Sequence, residues 1–241
     1  MVTRAPVVVA ALAAAVGVGG CGDRPALEYG RSLFSDTSIS SAPSNPFKCA
    51  TCHETTATPT KQLPGYVLYD STVRASWWGG SEQTLLDATN QCIYNFMRGN
   101  PLAADDDKGR ALFVYLESLS PDPSAPTLPL TVVQNIVDVP SGDATNGQMI
   151  WNQSCGNCHG APHTGQGRLS DIVSIVPDDS IAAHGTSPTM GARPVVIEKV
   201  RHGKFFNVGG NMPLFSLEAM SDAQLGDVLA YLEQFNLPPS P

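Results

Sequence analysis

The sequence CATCH at residues 49–53 recurs in form as CGNCH at residues 155–159. Each stretch has two cysteines three positions apart and a histidine directly after the second cysteine. Because the chain has 6 cysteines and 5 histidines in 241 residues, random placement would give about 0.003 such matches. The repeated pattern therefore indicates one chemical requirement that is met at two places in the chain.

Closely spaced cysteines also occur in disulfide-bonded proteins, in thioredoxin-like redox motifs and in zinc sites. Disulfides are common in exported proteins, but they do not explain why a histidine follows each pair. Thioredoxin-like motifs lie at a strand-to-helix turn in a βαβ unit, and no βαβ pattern is present. A zinc site needs four ligands, and the two motifs lie 106 residues apart. The sequence argues against all three.

The pattern is typical of covalent haem c attachment. Each cysteine sulfur bonds to one vinyl group, and the adjacent histidine ligates the iron. Spacing of about one helical turn lets both sulfurs reach the same porphyrin edge. We therefore predict two covalently attached haem c groups. Their attachment cysteines and proximal histidines are Cys49, Cys52, His53, Cys155, Cys158 and His159.

The same helical features accompany both motifs. A glycine stands four residues before an aromatic residue at Gly30 and Phe34, and again at Gly147 and Trp151. An apolar stripe with helical spacing follows each motif, at Leu112, Tyr115, Leu116 and Leu119 and at Leu225, Val228, Leu229 and Leu232. Since glycine permits close helix crossing, we expect each glycine-bearing helix to pack on a tyrosine-bearing helix. The predicted fold class is all-α, with two tandem domains of similar design.

A proline-rich segment separates the two haem motifs and predicts a domain boundary. Its prolines are Pro121, Pro123, Pro126, Pro129 and Pro140. The predicted organisation is a lipoprotein signal peptide (1–20), a first unit (21–120), a linker (121–142) and a second unit (143–241). A capping-box pattern from Ser221 to Gln224 predicts the start of the last helix.

The first twenty residues have the features of a targeting signal. Arg4 precedes an apolar run over residues 7–20 that is too short to span a bilayer. The run ends at Val-Gly-Gly-Cys21, which resembles the lipobox of bacterial lipoproteins and implies that Cys21 is lipidated. Ordinary secretion with a free Cys21 is the alternative. The expected localisation is periplasmic or outer-membrane, with membrane attachment through the lipid.

Composition and charge suit one or two globular domains and argue against nucleic acid as a partner. The chain is 42% hydrophobic and 15% charged, with a net charge of −8. Residues 22–125 carry 8 basic and 12 acidic groups, and residues 140–241 carry 5 and 9. Neither half offers a basic surface for phosphate groups.

Residues 143–237 resemble a class I cytochrome c domain from its first helix to its last. The resemblance rests on Gly147-x-x-x-Trp151, CGNCH, NMPLF at 211–215, and the helix that carries Tyr231. Because the first unit repeats the glycine, the haem motif and the tyrosine-bearing helix, the resemblance implies two tandem class I cytochrome c-like domains. It implies that Met212, which follows Gly209 and Gly210, is the sixth iron ligand. His184 and His202 are alternative ligands in the same region.

The distal ligand of the first haem has two candidates. On a predicted helix from about Ser81 to Arg98, Cys92 shares an apolar face with Leu85, Thr89 and Phe96. Met97 is the alternative, because it lies 18 residues before Tyr115 while Met212 lies 19 before Tyr231. A buried inert thiol at Cys92 is a third interpretation.

A second resemblance favours Cys92. The sequence WWGG at 77–80, followed by Cys92-x-x-x-x-Met97-x-Gly99-x-Pro101 and the Tyr115 helix, is similar to the cytochrome domain shared by thiosulfate dehydrogenases and the sulfur-oxidation A subunit. The similarity covers roughly residues 26–120. It implies that the cysteine ligates iron and that the nearby methionine does not.

The predicted function is an exported, lipid-anchored dihaem c-type cytochrome that carries single electrons between redox proteins. One alternative is a thiosulfate dehydrogenase-like oxidoreductase acting at the first haem, which needs convergent cations. Candidates for these are Arg74, Arg98, Lys108 and Arg110. Another is an electron-entry module docked to a larger oxidase or reductase. Three basic residues of the second unit are expected on a solvated surface or beside a partner or the haem propionates: Lys199, Arg201 and Lys204.

Overall fold

The structure is a computed structural model that describes residues 25–186, 191–206 and 210–238. The predicted signal peptide and Cys21 lie outside these ranges, as do the side chains of residues 184–186 and 205, His184 among them. Within the described ranges the regular elements are helices, and pairing between extended segments is confined to isolated bridges. The all-α prediction is confirmed. None of the described helices has the length and apolar character needed to cross a membrane.

From residue 25 onward, where the structure describes it, the first unit forms four α-helices. They are α1 (Ala26–Phe34), α2 (Cys49–Cys52), α3 (Leu85–Asn95) and α4 (Asp107–Glu117), joined by loops with short 3₁₀ turns. The prediction that α3 runs from about Ser81 to Arg98 is wrong at both ends. The Thr84 side chain accepts a hydrogen bond from Asp87 N (3.1 Å), which starts the helix there. The helix stops before Arg98, whose backbone has φ 55°.

The described residues of the second unit form five α-helices. They are α5 (Ala144–Ile150), α6 (Gly156–His159), α7 (Asp178–Thr186), α8 (Ala192–Arg201) and α9 (Asp222–Glu233). A wider π-helical turn over Trp151–Cys155 joins α5 directly to α6. Cys155 therefore follows the first helix without a loop, whereas 15 positions separate Phe34 from Cys49 in the first unit.

Two close helix crossings organise the two units in the same way. A Cβ atom at Gly30 would lie 1.9 Å from Ala111 O, and one at Gly147 would lie 1.9 Å from Asp227 O. Only glycine allows the backbones to approach this closely. The expected contacts of α1 with α4 and of α5 with α9 are confirmed. Aromatic pairs flank both crossings, with ring centroids 5.7 Å apart for Phe34–Tyr115 and 6.4 Å for Trp151–Tyr231.

Each crossing contributes to a separate apolar core. Leu112 and Leu116 of α4 are buried in the first core, and Leu225, Leu229 and Leu232 of α9 are fully buried in the second. The start of α9 has the predicted capping box, because Gln224 N donates to Ser221 Oγ and Ser221 N donates to Gln224 Oε1. The apolar stripes predicted from sequence therefore form the two cores.

The proline-rich segment is bonded to both units. Near its start, Ala125 N donates to Val73 O (3.1 Å) of the first unit. Further on, Leu217 N of the second unit donates to Thr131 O (3.1 Å). Val139 is buried in the second core. The segment thus acts as a fixed strap rather than a free spacer.

Arg201 lies in the interior, which corrects the expectation that it is on a solvated surface. Its side chain is 1% exposed, and its guanidinium donates to the carbonyls of Phe215 (3.1 Å) and Met220 (2.6 Å). It also pairs with Asp222 at 2.7 Å. The planar guanidinium can satisfy several carbonyls at once, which is why an arginine is tolerated here.

Candidate functional site

The first haem motif forms a single helical turn. His53 N donates to Cys49 O (3.0 Å), and Lys48 N donates to Thr51 Oγ1 (3.2 Å) at the start of the turn. The turn places both cysteines and the histidine against one cavity. The three residues that the sequence predicts to hold one haem therefore lie together at one cavity.

This cavity is mostly apolar and contains about 1230 Å³ of space free of protein atoms, part of it open to solvent. Its walls include the four residues predicted to share one face of α3: Leu85, Thr89, Cys92 and Phe96. Met97, which is 6% exposed, lines the same cavity. The structure brings both candidate distal ligands to the cavity that holds His53, and the choice between them stays a prediction.

His53 has the properties of an axial ligand. Its Nδ1 atom is buried and has no hydrogen-bond partner among the described residues. Its ring packs directly on the backbone of Gly65, where a Cβ atom would lie 2.3 Å from Cε1. Burial lowers the pKa of His53 to about 4, so the imidazole is neutral and can offer a lone pair to a metal. A haem iron fits this environment.

The thiols of both motifs and of Cys92 are held in the protonated form. Burial raises the pKa of Cys49, Cys92 and Cys155 to about 12 and that of Cys158 to about 11. No disulfide is present among the described cysteines. These thiols are therefore not free thiolate nucleophiles at neutral pH. A thiolate at Cys92 requires a compensating positive charge such as that of iron.

The second motif holds its histidine through hydrogen bonds. His159 Nδ1 donates to Ser174 O (2.8 Å), and this bond leaves Nε2 as the free ligand atom. Trp151 Nε1 donates to Gly160 O (3.0 Å) and fixes the end of the motif. Burial also lowers the pKa of His159. This arrangement fits a proximal haem ligand.

Met212 lies in a loop anchored to its own unit. Its side chain packs against the second core, and its carbonyl accepts a hydrogen bond from Lys204 N (2.8 Å). Gly203 has φ 48°, and a Cβ atom there would lie 2.4 Å from Met212 O. Gly209 of the predicted glycine-rich loop lies outside the described residues. The loop backbone is therefore tightly fitted at Met212.

His202, the alternative ligand whose side chain is described, is engaged elsewhere. It is 8% exposed, and its Nε2 hydrogen-bonds to Val133 O of the strap at 2.8 Å. Its ring lies 4.4 Å from the ring of Phe206. The geometry gives His202 a structural role between α8 and the strap.

The four cations proposed for anion binding do not converge. Among them only Arg74 lines the cavity, and its guanidinium donates to the carbonyls of residues 67 and 69, both at 2.8 Å. The other three bond to Asn211 (from Arg98), to Ser38 O (from Lys108) and to Asp107 (from Arg110). The described residues also include no cluster of His, Cys, Asp and Glu suited to a separate metal ion.

Sequence reasoning missed the residues that join the two units at the first cavity. Tyr66 follows Gly65, whose backbone packs on the ring of His53. The Tyr66 hydroxyl hydrogen-bonds to Ser216 Oγ at 2.5 Å. Pro213 and Leu214, which follow Met212, line the first cavity. The Pro64-Gly65 pair was a visible turn signal. Nothing local in the sequence indicates the contacts with the second unit.

Three comparisons with known proteins bear on these sites. Residues 142–232 match the protein family described as "Cytochrome C oxidase, cbb3-type, subunit III". No curated protein matches the chain. Among solved structures, thiosulfate dehydrogenase (TsdBA) from Marichromatium purpuratum in its as-isolated form is similar, with 20% identity and a TM-score of 0.41. The match covers 88% of this chain and 46% of that one, so this chain spans less than half of its length.

A likeness of that extent does not establish a shared activity. The family match, in contrast, covers α5, CGNCH, the Met212 loop and most of α9. These are the elements whose geometry fits a haem with a proximal histidine. Residues 142–232 therefore form a c-type cytochrome domain, whose chemistry is haem-based electron transfer.

Proposed function

We propose that the protein is an exported, lipid-anchored dihaem c-type cytochrome that carries single electrons between redox proteins. The observation that supports a haem in the first unit, in addition to that of the cytochrome domain, is the cavity of the first unit. His53 and both motif cysteines line it together with Cys92 and Met97. The glycine-mediated crossing beside it repeats that of the cytochrome domain.

The residues proposed to hold the two groups are those of the two haem motifs and their candidate sixth ligands. Cys49, Cys52 and His53 would hold the first, with Cys92 or Met97 as the sixth ligand. The second group has its own set: Cys155, Cys158, His159 and Met212. When bound, each haem supplies a reversible one-electron iron couple.

The chain would set the two potentials through different ligands. The neutral thioether of Met212 favours ferrous iron, whereas an anionic Cys92 thiolate favours ferric iron. The hydrogen bond from His159 Nδ1 to Ser174 O increases the basicity of the imidazole. We expect the first haem to have the lower potential if Cys92 is its ligand.

The contacts between the units would keep the two sites at a fixed separation. Tyr66 bonds to Ser216 of the second unit and to Pro129 O of the strap (3.2 Å). Cys158 packs against the core of the first unit. A fixed separation supports electron passage within one chain before transfer to a partner.

The spectroscopic test of this proposal is a potentiometric titration of the holoprotein followed by visible absorption. Two one-electron transitions are expected. Electron paramagnetic resonance of the oxidised protein, compared with Cys92→Ala, then assigns the first haem. Loss of a thiolate-type signal in the variant supports Cys92, and an unchanged spectrum supports Met97. A single transition in the wild type would contradict the proposal.

Membrane attachment is proposed from the lipobox-like sequence before Cys21. In cells that process lipoproteins, wild-type protein is expected in the membrane fraction and Cys21→Ala in the soluble fraction. Equal distribution of the two would oppose lipidation. Co-purification of a stoichiometric oxidase or reductase from membranes would favour a docked module over a free carrier.

The thiosulfate dehydrogenase-like alternative has little support in the described residues. Three of its four candidate cations do not line the first cavity. The fourth, Arg74, lines the cavity, but its described hydrogen bonds go to backbone carbonyls. We expect thiosulfate to leave the oxidised protein unreduced. Rapid haem reduction by thiosulfate, lost in Cys92→Ala, would instead establish the enzyme.

A further inference from the structure

We propose that Asn211 is a positioning residue that links the sixth-ligand segments of the two haem sites. The inference rests on the proposed function, which places a haem at both motifs and Met212 on the second. Asn211 Nδ2 donates to Phe96 O (3.0 Å), and its Oδ1 accepts from Arg98 Nη2 (3.1 Å). Phe96 and Arg98 stand on either side of Met97, and Asn211 directly precedes Met212.

The residues after Met212 also lie at the first cavity. Pro213 and Leu214 line the first cavity, and Leu214 is buried. The loop that carries Met212 is therefore bonded to the first unit before the methionine and borders the cavity of that unit after it. The carbonyl of Met212 itself accepts a hydrogen bond from Lys204 N of the second unit.

The partner segment on the first unit is equally constrained. Met97 O accepts a hydrogen bond from Ser40 Oγ (3.0 Å), and Met97 N donates to Cys92 O (3.3 Å). A displacement of this segment therefore cannot be absorbed locally without breaking these bonds. We infer that a displacement at Cys92 or Met97 passes through the Asn211 amide to the loop that presents Met212.

A structural role confined to the interface would not change the ligation of the second haem. Coupling predicts that a substitution in the first unit loosens Met212. The critical variant is Arg98→Ala, because it leaves the sequence of the second unit unchanged. Arg110→Ala is its matched control, since Arg110 is an exposed arginine of the same unit that pairs within its own helix.

The measurement is the rate at which added imidazole displaces the methionine in the ferric holoprotein. The displacement is monitored through the loss of the methionine-to-iron charge-transfer band. All variants carry Met97→Leu, so that the band reports Met212 alone. Asn211→Ala is compared with Asn95→Ala, whose described side-chain bond goes to Gln91 of its own helix.

We expect Asn211→Ala to accelerate displacement by roughly ten-fold or more and Arg98→Ala by about five-fold, on the order of one lost hydrogen bond. Both controls should match the parent. Equal rates for Asn211→Ala and the parent, or an Arg98→Ala rate no greater than that of Arg110→Ala, would overturn the inference alone. A parent protein without the methionine band would overturn the Met212 assignment and the inference with it.

Discussion

Replacement of Gly147 by alanine tests the helix crossing that holds the cytochrome domain together. Gly147 lies in α5, and its backbone touches α9. An added Cβ would lie 1.9 Å from Asp227 O and 2.9 Å from Tyr231 Cβ. The first of these contacts is with backbone, so a side-chain rotation cannot relieve it.

The cost follows from the displacement that the methyl group requires. Carbon and oxygen atoms of neighbouring helices approach to about 3.3 Å, so α5 and α9 must separate by about 1.4 Å. Such overpacking costs roughly 1–3 kcal/mol, and a gap of this size also removes much of the dispersion energy along the seam. Alanine regains about 0.5–1 kcal/mol of helix propensity. We expect a net loss of about 2 kcal/mol.

The assay is urea unfolding of the holoprotein followed by far-ultraviolet circular dichroism. Gly156→Ala is the matched control, because a Cβ there would come no closer than 3.4 Å to Trp151 O and the first motif has alanine at the same place. We expect the control to keep wild-type stability. A Gly147→Ala protein as stable as the control would refute the close-crossing account.

Three further outcomes are expected from single substitutions. Ser221→Ala removes the cap of α9 and should lower the free energy of unfolding by about 1 kcal/mol, measured in urea. Arg201→Met leaves the carbonyls of residues 215 and 220 and the Asp222 carboxylate unpaired, and should cost about 3 kcal/mol by the same measurement. Burial opposes ionisation of Glu218, but hydrogen bonds from Thr131 prevail and lower its pKa to about 2. Because the ordinary value is 4.5, the Glu218 carboxylate stabilises the fold above pH 4.5 and loses this effect as the pH falls towards 2. Thermal melts should therefore show a weaker acid dependence in Glu218→Gln over this window, and identical pH profiles would contradict the Thr131 contact.

The features that the sequence predicts correctly are local or repeated. The spacing of Gly30 from Phe34, and of Gly147 from Trp151, predicts both helix crossings because a glycine four residues from an aromatic places both on one helix face. The capping box at Ser221 is equally local. Each feature depends on residues within one turn of each other.

The features that it misses depend on contacts between distant parts of the chain. Asn211 lies 115 residues from Phe96, and Tyr66 lies 150 residues from Ser216. The same limit explains Arg201, whose charge predicts exposure although the surrounding carbonyls make burial tolerable. Hydrophobic periodicity carries no information about such pairs.

The central claim is that the chain carries two covalent haems, and the most direct test is the haem count. Absorption in alkaline pyridine, after acidic extraction of non-covalent haem, would be measured on protein made with a haem c maturation system. The account expects two haems per wild-type chain and one in each of two variants, Cys49→Ala/Cys52→Ala and Cys155→Ala/Cys158→Ala. One haem in the wild type, retained when the first motif is removed, would contradict it.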